Sequence, residues 1–507
     1  MFRTAVLMAV LASLAASALA GSAFAAGSGR FTPGAPGLGD PYLPLAGNGG
    51  YDIKHYDLDL TYDPDTDVLV GVAKITARAT QDLSRFDLDF VGLTVRSLKI
   101  DGKAASWTRD AGELVVTPRA GIRRGSTFKI VAKYDGIPEP VDDEFGISGF
   151  YHTDDGAIVS GEPRVAATWF PSNDHPRDRA SFRFRITVPA GLEAIANGVL
   201  KSHRTHGAWT TWTWDAREPM ATYLAGMGIG HFDIRSYKQN GIRFWDAIDS
   251  RLFTDGSGLG ETILKTFDKQ AAILDFEAGV FGRYPFKAGG GIVDVEPNLG
   301  FSLENQTRPI YPENNIGDPI DNDFLVVHEL AHQWVGDRVA LDSWQHIWLN
   351  EGFATYTEWL WGEDQGLGTA QENFDYWYGL IGEDDPFWDL PIADPGLPDM
   401  FDFEVYLRGA MTLHALRLTV GDTTFFKILH DWVKTQSGDT VTTDEFIRFA
   451  GEVSHRDLGP FFDEWLWSGH PSAPPVPFAP TSRRSAPATG PANARSLVAR
   501  YGGTRAD

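Results

Sequence analysis

Hydrophobic and polar residues alternate along many short segments in the first half of the chain. Two clear cases are residues 55–62 and 182–188, where every second residue is apolar. A period of two is typical of a strand with one buried face. Turn signals such as Asp101-Gly102 and Asn197-Gly198 separate these segments up to about residue 235. The pattern predicts a largely antiparallel β-domain over residues 51–235.

The hydrophobic period changes after about residue 240 and becomes that of amphipathic helices. Helices are predicted over residues 261–280, 321–337, 351–361, 408–420, 423–435 and 443–454. The second unit, residues 236–470, is therefore predicted to be mainly helical. At 507 residues the chain is too long for one ordinary core, which agrees with two or three folded units and a multidomain α+β class.

Both ends of the chain differ from this folded body. Residues 1–26 have a short basic start, an uncharged apolar run and small-residue cleavage sites, which indicate an export signal; a membrane anchor is the alternative. Residues 27–50 are rich in Gly and Pro and are predicted to be an irregular leader. Residues 471–507 are rich in Pro, Ala and Arg, lack a periodic apolar face and are predicted to be disordered. No later stretch approaches the ~20 apolar residues of a membrane-spanning helix.

Charge and cysteine content narrow the chemistry. The formal net charge of −24 argues against nucleic acid as a partner, because phosphate binding needs a basic surface. The chain contains no cysteine. Any metal site must therefore be built from histidines and carboxylates.

The segment His328-Glu329-Leu330-Ala331-His332 lies inside a predicted helix. A spacing of four residues places both imidazoles on one face, where they can share one zinc ion. Glu329 projects at a different angle, which suits a general base that takes a proton from metal-activated water. A pair of core histidines would show the same spacing.

A carboxylate further along the chain favours the metal site over the core pair. Glu351 follows His332 after 18 residues, enough for a turn and a second helix that returns a third ligand. Two histidines and one glutamate leave the fourth position of the metal open, as a catalytic zinc requires. Glu358, two turns further along the same helix face, is either an outer acceptor that orients a ligand imidazole or a surface glutamate.

With these motifs, residues 50–470 resemble the aminopeptidase N family of zinc metallopeptidases. The segment Gly300-Phe301-Ser302-Leu303-Glu304-Asn305 is similar to the family's Gly-x-Met-Glu-Asn motif, with Phe301 where the glycine is expected and Leu303 for Met. The resemblance implies that Glu304 binds the free α-amino group of the substrate. It also implies that Asn305 belongs to the substrate-binding segment, whose backbone helps to align the peptide.

Two further segments carry the resemblance. Tyr406-Leu407-Arg408-Gly409-Ala410 is similar to the family's Tyr-x-Lys-Gly-Ala, and the resemblance implies that Tyr406 donates a hydrogen bond to the oxyanion of the tetrahedral intermediate. The segment from Glu162-Pro163 to Asp174 is similar to a loop of the β-domain that lends a second acidic residue, here Glu162, to the amine site.

The resemblance implies a β-sandwich-like N-terminal domain and a thermolysin-like catalytic domain. Because only the tail predicted to be disordered follows Trp467, we expect a shorter member without the large helical C-terminal domain common in the family. The resemblance also implies one zinc ion per chain and release of the N-terminal amino acid from peptides with a free N-terminus. Two rival hypotheses remain: an endopeptidase of the thermolysin type, and an exported protein that binds zinc without turnover. The oligomeric state and the preferred first residue cannot be deduced from the sequence.

Overall fold

The computed structural model of the protein describes residues 31–467, 469–471 and 490–501. The predicted export signal lies outside the described residues, as does most of the predicted tail. From Phe31 onward the chain belongs to one compact unit. No helix in the described ranges is long and apolar enough to cross a membrane.

The first half of the chain is built of strands, as predicted. They are β1 (Thr32–Pro33), β2 (Tyr51–Asp63), β3 (Val68–Ala79), β4 (Leu83–Asp89), β5 (Thr94–Ile100), β6 (Lys103–Ala104), β7 (Ser106–Asp110), β8 (Glu113–Thr117), β9 (Thr127–Gly136), β10 (Val141–Asp143), β11 (Gly146–His152), β12 (Ala157–Ser160), β13 (Ala180–Pro189), β14 (Glu193–Ala196), β15 (Val199–His206), β16 (Trp209–Met220) and β17 (Met227–Gly230).

These strands form three sheets. The largest has eight strands in the order β15-β16-β13-β2-β3-β9-β5-β6, and it is antiparallel except for the pair β13–β2. A four-stranded sheet (β1-β4-β8-β7) and a five-stranded sheet (β10-β11-β12-β17-β14) complete this half. Burial alternates residue by residue along β13, because one face of the strand packs into the core. The alternation predicted at residues 55–62 and 182–188 is confirmed.

The second half of the chain begins with strands before it becomes helical. These are β18 (Phe232–Gln239), β19 (Ile242–Asp249), β20 (Ala288–Gly289), β21 (Ile292–Asp294) and β22 (Ile310–Pro312), with β23 (Ala340–Leu341) and β24 (Thr440–Val441) as a separate pair. Leu303 pairs with Ile310 of β22, so the segment that carries Glu304 lies along the edge of this sheet.

Helices make up most of the rest. They are α1 (Leu259–Phe267), α2 (Gln270–Phe281), α3 (Pro319–Ala331), α4 (Trp348–Asp364), α5 (Ala370–Leu380), α6 (Phe403–Val420), α7 (Asp422–Thr435), α8 (Thr443–Ser454), α9 (Gly459–Phe462) and α10 (Ala492–Tyr501). The mixed α+β class is confirmed. The exact boundary at residue 235 stays a prediction.

The prediction of one helix over residues 261–280 is wrong. The chain turns at Asp268 and Lys269, so that α1 packs on β19 while α2 packs on α7. One straight helix could not bury its apolar residues against both neighbours. Lys269 at the turn holds α3 through an ion pair with Asp323, at 2.7 Å to its Oδ1.

The prediction of a wholly disordered tail is also wrong, for residues 492–501. These residues form α10, which buries Ala494 and Leu497 and contacts α3, α4 and α5. The helix packs here with few apolar residues because two of its polar side chains, Asn493 and Arg500, bind the buried carboxylate of Glu358. The tail residues 472–489 and 502–507 lie outside the described residues.

One buried cation ties the strand-rich half to the helical half. The Arg308 guanidinium is 1% exposed and donates to the carbonyls of Gly198 at 2.9 Å and Trp245 at 2.7 Å, and also to that of Gly289. These carbonyls lie on three separate segments of the chain. The loop after Glu304 is thus fixed to both halves at once.

Candidate active site

Helix α3 carries the first two predicted metal ligands. Its start is fixed by Asp318, whose side chain accepts from the Ile320 amide at 2.9 Å, and by Pro319 at the first helical position. From Asn322 onward every residue of the helix is buried. His328 lies in the last turn and His332 caps the helix, so that their rings meet at a centroid distance of 4.8 Å.

Glu351 in the first turn of α4 reaches both imidazoles. Its Oε2 lies 3.1 Å from His328 Nε2 and 3.4 Å from His332 Nε2. All three side chains are at most 4% exposed. The structure therefore brings the three predicted ligands together, with their donor atoms within 4.8 Å of one another.

The outer nitrogen of each imidazole is held by the protein. His328 Nδ1 lies 2.8 Å from Glu358 Oε1, and His332 Nδ1 lies 3.0 Å from the Val335 carbonyl oxygen. These partners fix both rings with Nε2 directed at Glu351. Of the two hypotheses for Glu358, the structure supports the outer acceptor, because its side chain is fully buried.

The charges around this cluster favour a cation. Burial lowers the pKa of His332, but Glu351 and Glu304 outweigh it and hold the pKa well above its usual value. For Glu351 the effects are opposite in sign. Burial raises its pKa, but the His332 and His328 imidazoles outweigh burial and lower the pKa to about 2. A field that stabilises a proton on these nitrogens also stabilises a metal ion that replaces the proton. Two imidazole nitrogens and a carboxylate are ligands that zinc prefers, so the residues fit this metal.

Glu329 and Tyr406 lie beside the ligands. Glu329 is 4% exposed, and burial raises its pKa to about 7, against the opposing effect of His328 and His332. The ring of Tyr406 on α6 stacks on that of His328 at a centroid distance of 5.9 Å. Both side chains line the same cleft as the ligands.

Glu304 lies next to Glu329 and His332, with one oxygen or nitrogen of each of the three side chains within 4.8 Å of the others. It is 3% exposed and accepts from the Tyr223 hydroxyl at 3.0 Å, while Gln333 Nε2 donates to its backbone carbonyl at 2.9 Å. Tyr223 and Gln333 position Glu304, although neither residue belongs to a motif that is recognisable in the sequence. Gln333 directly follows His332, which is the one signal that points to it.

Glu162 reaches the same region from the strand-rich half. Burial and the charges of Glu304 and Glu351 raise its pKa well above the usual value. Its Oε2 is buried and has no hydrogen-bond partner among the described residues. Glu162 and Glu304 thus place two carboxylates near the metal ligands, where a ligand cation would neutralise them.

Two residues of the predicted motifs serve the scaffold. Asn305 is fully buried, donates to the Leu224 carbonyl at 3.2 Å and is not among the described residues that line the cleft. Arg408, which stands where the family has Lys, is also buried and donates to the carbonyls of Leu390 and Trp465, each at 2.8 Å. Arg408 thereby anchors α6, the helix that carries Tyr406.

The active-site side chains line a cleft of about 840 Å³. They are His328, His332, Glu351, Glu329, Tyr406, Glu304 and Glu162. Phe145 and Phe401 meet edge to face across the lining of the cleft, at a centroid distance of 5.0 Å. Besides the site residues already named, its lining carries several carboxylates and one arginine; they are Glu144, Asp318, Asp321, Asp402 and Arg500. The cleft has room for several residues of a peptide.

Comparison with known proteins agrees with this site. The Peptidase M1 N-terminal domain matches residues 53–224, and the Peptidase family M1 domain matches residues 311–465. An M1 zinc metallopeptidase from Deinococcus radiodurans is 31% identical, with a TM-score of 0.78 over 87% of this chain and 99% of that one. The chain belongs to peptidase family M1, whose metal is zinc.

Curated relatives are longer than this chain. A leucyl aminopeptidase from Saccharolobus solfataricus is 24% identical over 447 residues, which cover 82% of this chain and 53% of the relative. Human aminopeptidase N is 27% identical over 362 residues, 64% of this chain and 36% of the relative. The chain thus spans about half or less of the length of these relatives. A mutant of the Deinococcus radiodurans enzyme has been solved with a Tyr-Ser-Ala substrate.

Proposed function

We propose that this protein is a zinc aminopeptidase that releases the N-terminal amino acid from peptides. The observation that carries the proposal is the pair Glu304 and Glu162, because an endopeptidase has no use for two carboxylates at this place. A peptide's α-ammonium group would bind between them through charge-assisted hydrogen bonds. The first peptide bond would then lie beside His328, His332 and Glu351.

The chain's own residues supply the proton transfers. When bound, zinc contributes Lewis acidity, which polarises the peptide carbonyl and makes water more acidic. Glu329 takes the proton of the attacking water and passes it to the leaving amine. Tyr406 donates a hydrogen bond to the oxyanion that forms at the carbonyl carbon. The edge segment paired with β22 gives the substrate backbone a strand to lie along.

Relatives named as aminopeptidases and the neighbour with a bound tripeptide support this function.

We further propose that the protein is exported, on the signal-peptide pattern of residues 1–26. Peptide substrates with a free N-terminus are the proposed partners. Nucleic acid is not, given the net charge of −24.

Hydrolysis of one peptide with a free and with an acetylated N-terminus tests the proposal. We expect the acetylated peptide to be cleaved at least about 100-fold more slowly, because losing a charge-assisted contact that acts in the transition state costs a few kcal/mol. Equal rates would identify an endopeptidase instead. Glu304→Gln should remove most of this discrimination, whereas Glu261→Gln on the exposed face of α1 should leave it unchanged.

A further inference from the structure

Helix α10 is held against the catalytic helices at both of its ends. At its start, Pro491 lies against Gly368, where an added β-carbon would come within 3.2 Å of the proline Cβ. Further along, Ala494 and Leu497 are buried, and the helix contacts α3, α4 and α5. Near its end Arg500 lines the active-site cleft. The short helix therefore forms part of the wall that surrounds the metal ligands.

Two side chains of α10 converge on one carboxylate oxygen. Asn493 Nδ2 donates to Glu358 Oε2 at 2.9 Å, and the Arg500 guanidinium forms an ion pair with the same oxygen. Asn493 and Arg500 are seven residues apart, two helical turns, and so lie on one face of α10. The Glu358 side chain is fully buried and that of Arg500 is 11% exposed, so this ion pair is largely shielded from solvent.

The other oxygen of Glu358 contacts a metal ligand. Glu358 Oε1 lies 2.8 Å from His328 Nδ1, and His328 Nε2 is directed at Glu351. A buried carboxylate without a cationic partner would be strongly destabilised. A continuous chain of contacts therefore runs from α10 through Glu358 to the ring of His328.

We propose that Asn493 and Arg500 are positioning residues of the zinc site, and that α10 is a clamp which completes it. By holding Glu358 they fix the ring of His328 with Nε2 turned to the metal. This inference presupposes zinc bound to His328, His332 and Glu351 and does not depend on which peptides are cleaved. A finding of endopeptidase activity would leave it intact.

The dissociation constant of zinc, measured on the full chain by competition with a chromogenic chelator, tests the clamp. Arg500→Met should weaken zinc binding by roughly 10- to 100-fold, as expected when an outer partner of a metal ligand is lost. Asn493→Ala should weaken it less, because Arg500 still neutralises Glu358. Arg495→Met removes an exposed arginine of the same helix and should leave zinc affinity within about twofold.

A double-mutant cycle distinguishes positioning from general destabilisation. If Arg500 acts through Glu358, then Arg500→Met should cost no further zinc affinity once Glu358→Gln is present. Fully additive losses, or unchanged zinc affinity in Arg500→Met, would overturn the proposal. Circular dichroism of the metal-free proteins checks folding. If Arg500→Met does not fold, Arg500→Gln decides: it keeps a polar side chain but loses the charge that neutralises Glu358, so weaker zinc binding is expected and wild-type affinity would refute the clamp.

Discussion

Gly352 of α4 and Gly409 of α6 lie directly against each other. A β-carbon added to Gly352 would fall 2.8 Å from the Gly409 Cα, and one added to Gly409 would fall 2.7 Å from the Gly352 Cα. Glu351, a metal ligand, precedes the first glycine, and Tyr406 lies three residues before the second. Because neither glycine has a side chain, α4 and α6 can approach closely at this point. This close approach sets the distance between Glu351 and Tyr406.

Gly409→Ala should therefore disturb the metal site although Gly409 does not itself contact a metal ligand side chain. The two helices would have to move apart, which typically costs 1–3 kcal/mol of stability. We expect weaker zinc binding together with a lower melting temperature. Gly279→Ala is the matched control: this exposed helical glycine meets nothing within 4 Å, so alanine should stabilise the protein by up to about 1 kcal/mol. Normal zinc binding in Gly409→Ala would show that the close approach is dispensable.

Glu329→Gln should abolish hydrolysis and keep the metal. The amide has nearly the same shape but cannot take a proton, so we expect kcat to fall by at least about 10²- to 10⁴-fold. Zinc content, measured by atomic absorption after gel filtration, should stay at one ion per chain. A variant with zinc bound and an unchanged rate would exclude Glu329 as the base.

Tyr406→Phe should lower kcat by about 10²- to 10³-fold with little change in KM, because only the hydroxyl that meets the developing oxyanion is lost. The phenyl ring retains the stacking on His328, so zinc affinity should be preserved. The kinetic constants are obtained from initial rates on an amino-acid anilide. If KM rises while kcat holds, Tyr406 binds the substrate rather than the transition state.

His414 should make the protein less stable in mild acid. It lies 3.1 Å from the Tyr356 hydroxyl and 3.1 Å from Gln371 Oε1, and burial lowers its pKa to about 3. The folded state thus keeps His414 neutral, while the unfolded chain binds a proton below a pKa of about 6.5. Its contribution is complete above pH 6.5 and is lost as the pH falls towards 3.

Between pH 7 and pH 5 this group should remove about 2 kcal/mol from the free energy of unfolding. Urea denaturation at the two pH values measures it. In His414→Gln the change between pH 7 and pH 5 should be smaller by that amount, whereas His206→Gln, on an exposed residue of β15, should keep the full change. Equal pH dependence in all three proteins would mean that His414 takes up a proton as readily in the folded state as in the unfolded chain, and would contradict the lowered pKa.

The metal site could be predicted from the sequence because its spacing is local. His328 and His332 are one turn apart on a single helix, and Glu351 follows at a fixed interval on the next. The alternation of apolar and polar residues likewise predicted the strands around residues 58 and 184. Glu304, Glu162 and Tyr406 needed the family resemblance, since a lone carboxylate or tyrosine carries no local pattern.

What could not be predicted depends on contacts between distant residues. Asn493 and Arg500 lie more than 130 residues from Glu358, in a tail whose composition is typical of disorder. Tyr223 reaches Glu304 from 81 residues away. The break between α1 and α2 could not be predicted either. The apolar period continues through both helices and does not show that α1 and α2 pack against different neighbours.

Arg308 affects how the protein unfolds. Its guanidinium binds the Trp245 and Gly289 carbonyls within the second half of the chain and the Gly198 carbonyl across the join, so separating the two halves would break the Gly198 contact and open a buried cation to solvent. Neither half can melt while the other stays native without meeting that cost. Calorimetry should therefore record a single endotherm, and a protease should find no partly open form that has lost only its active site.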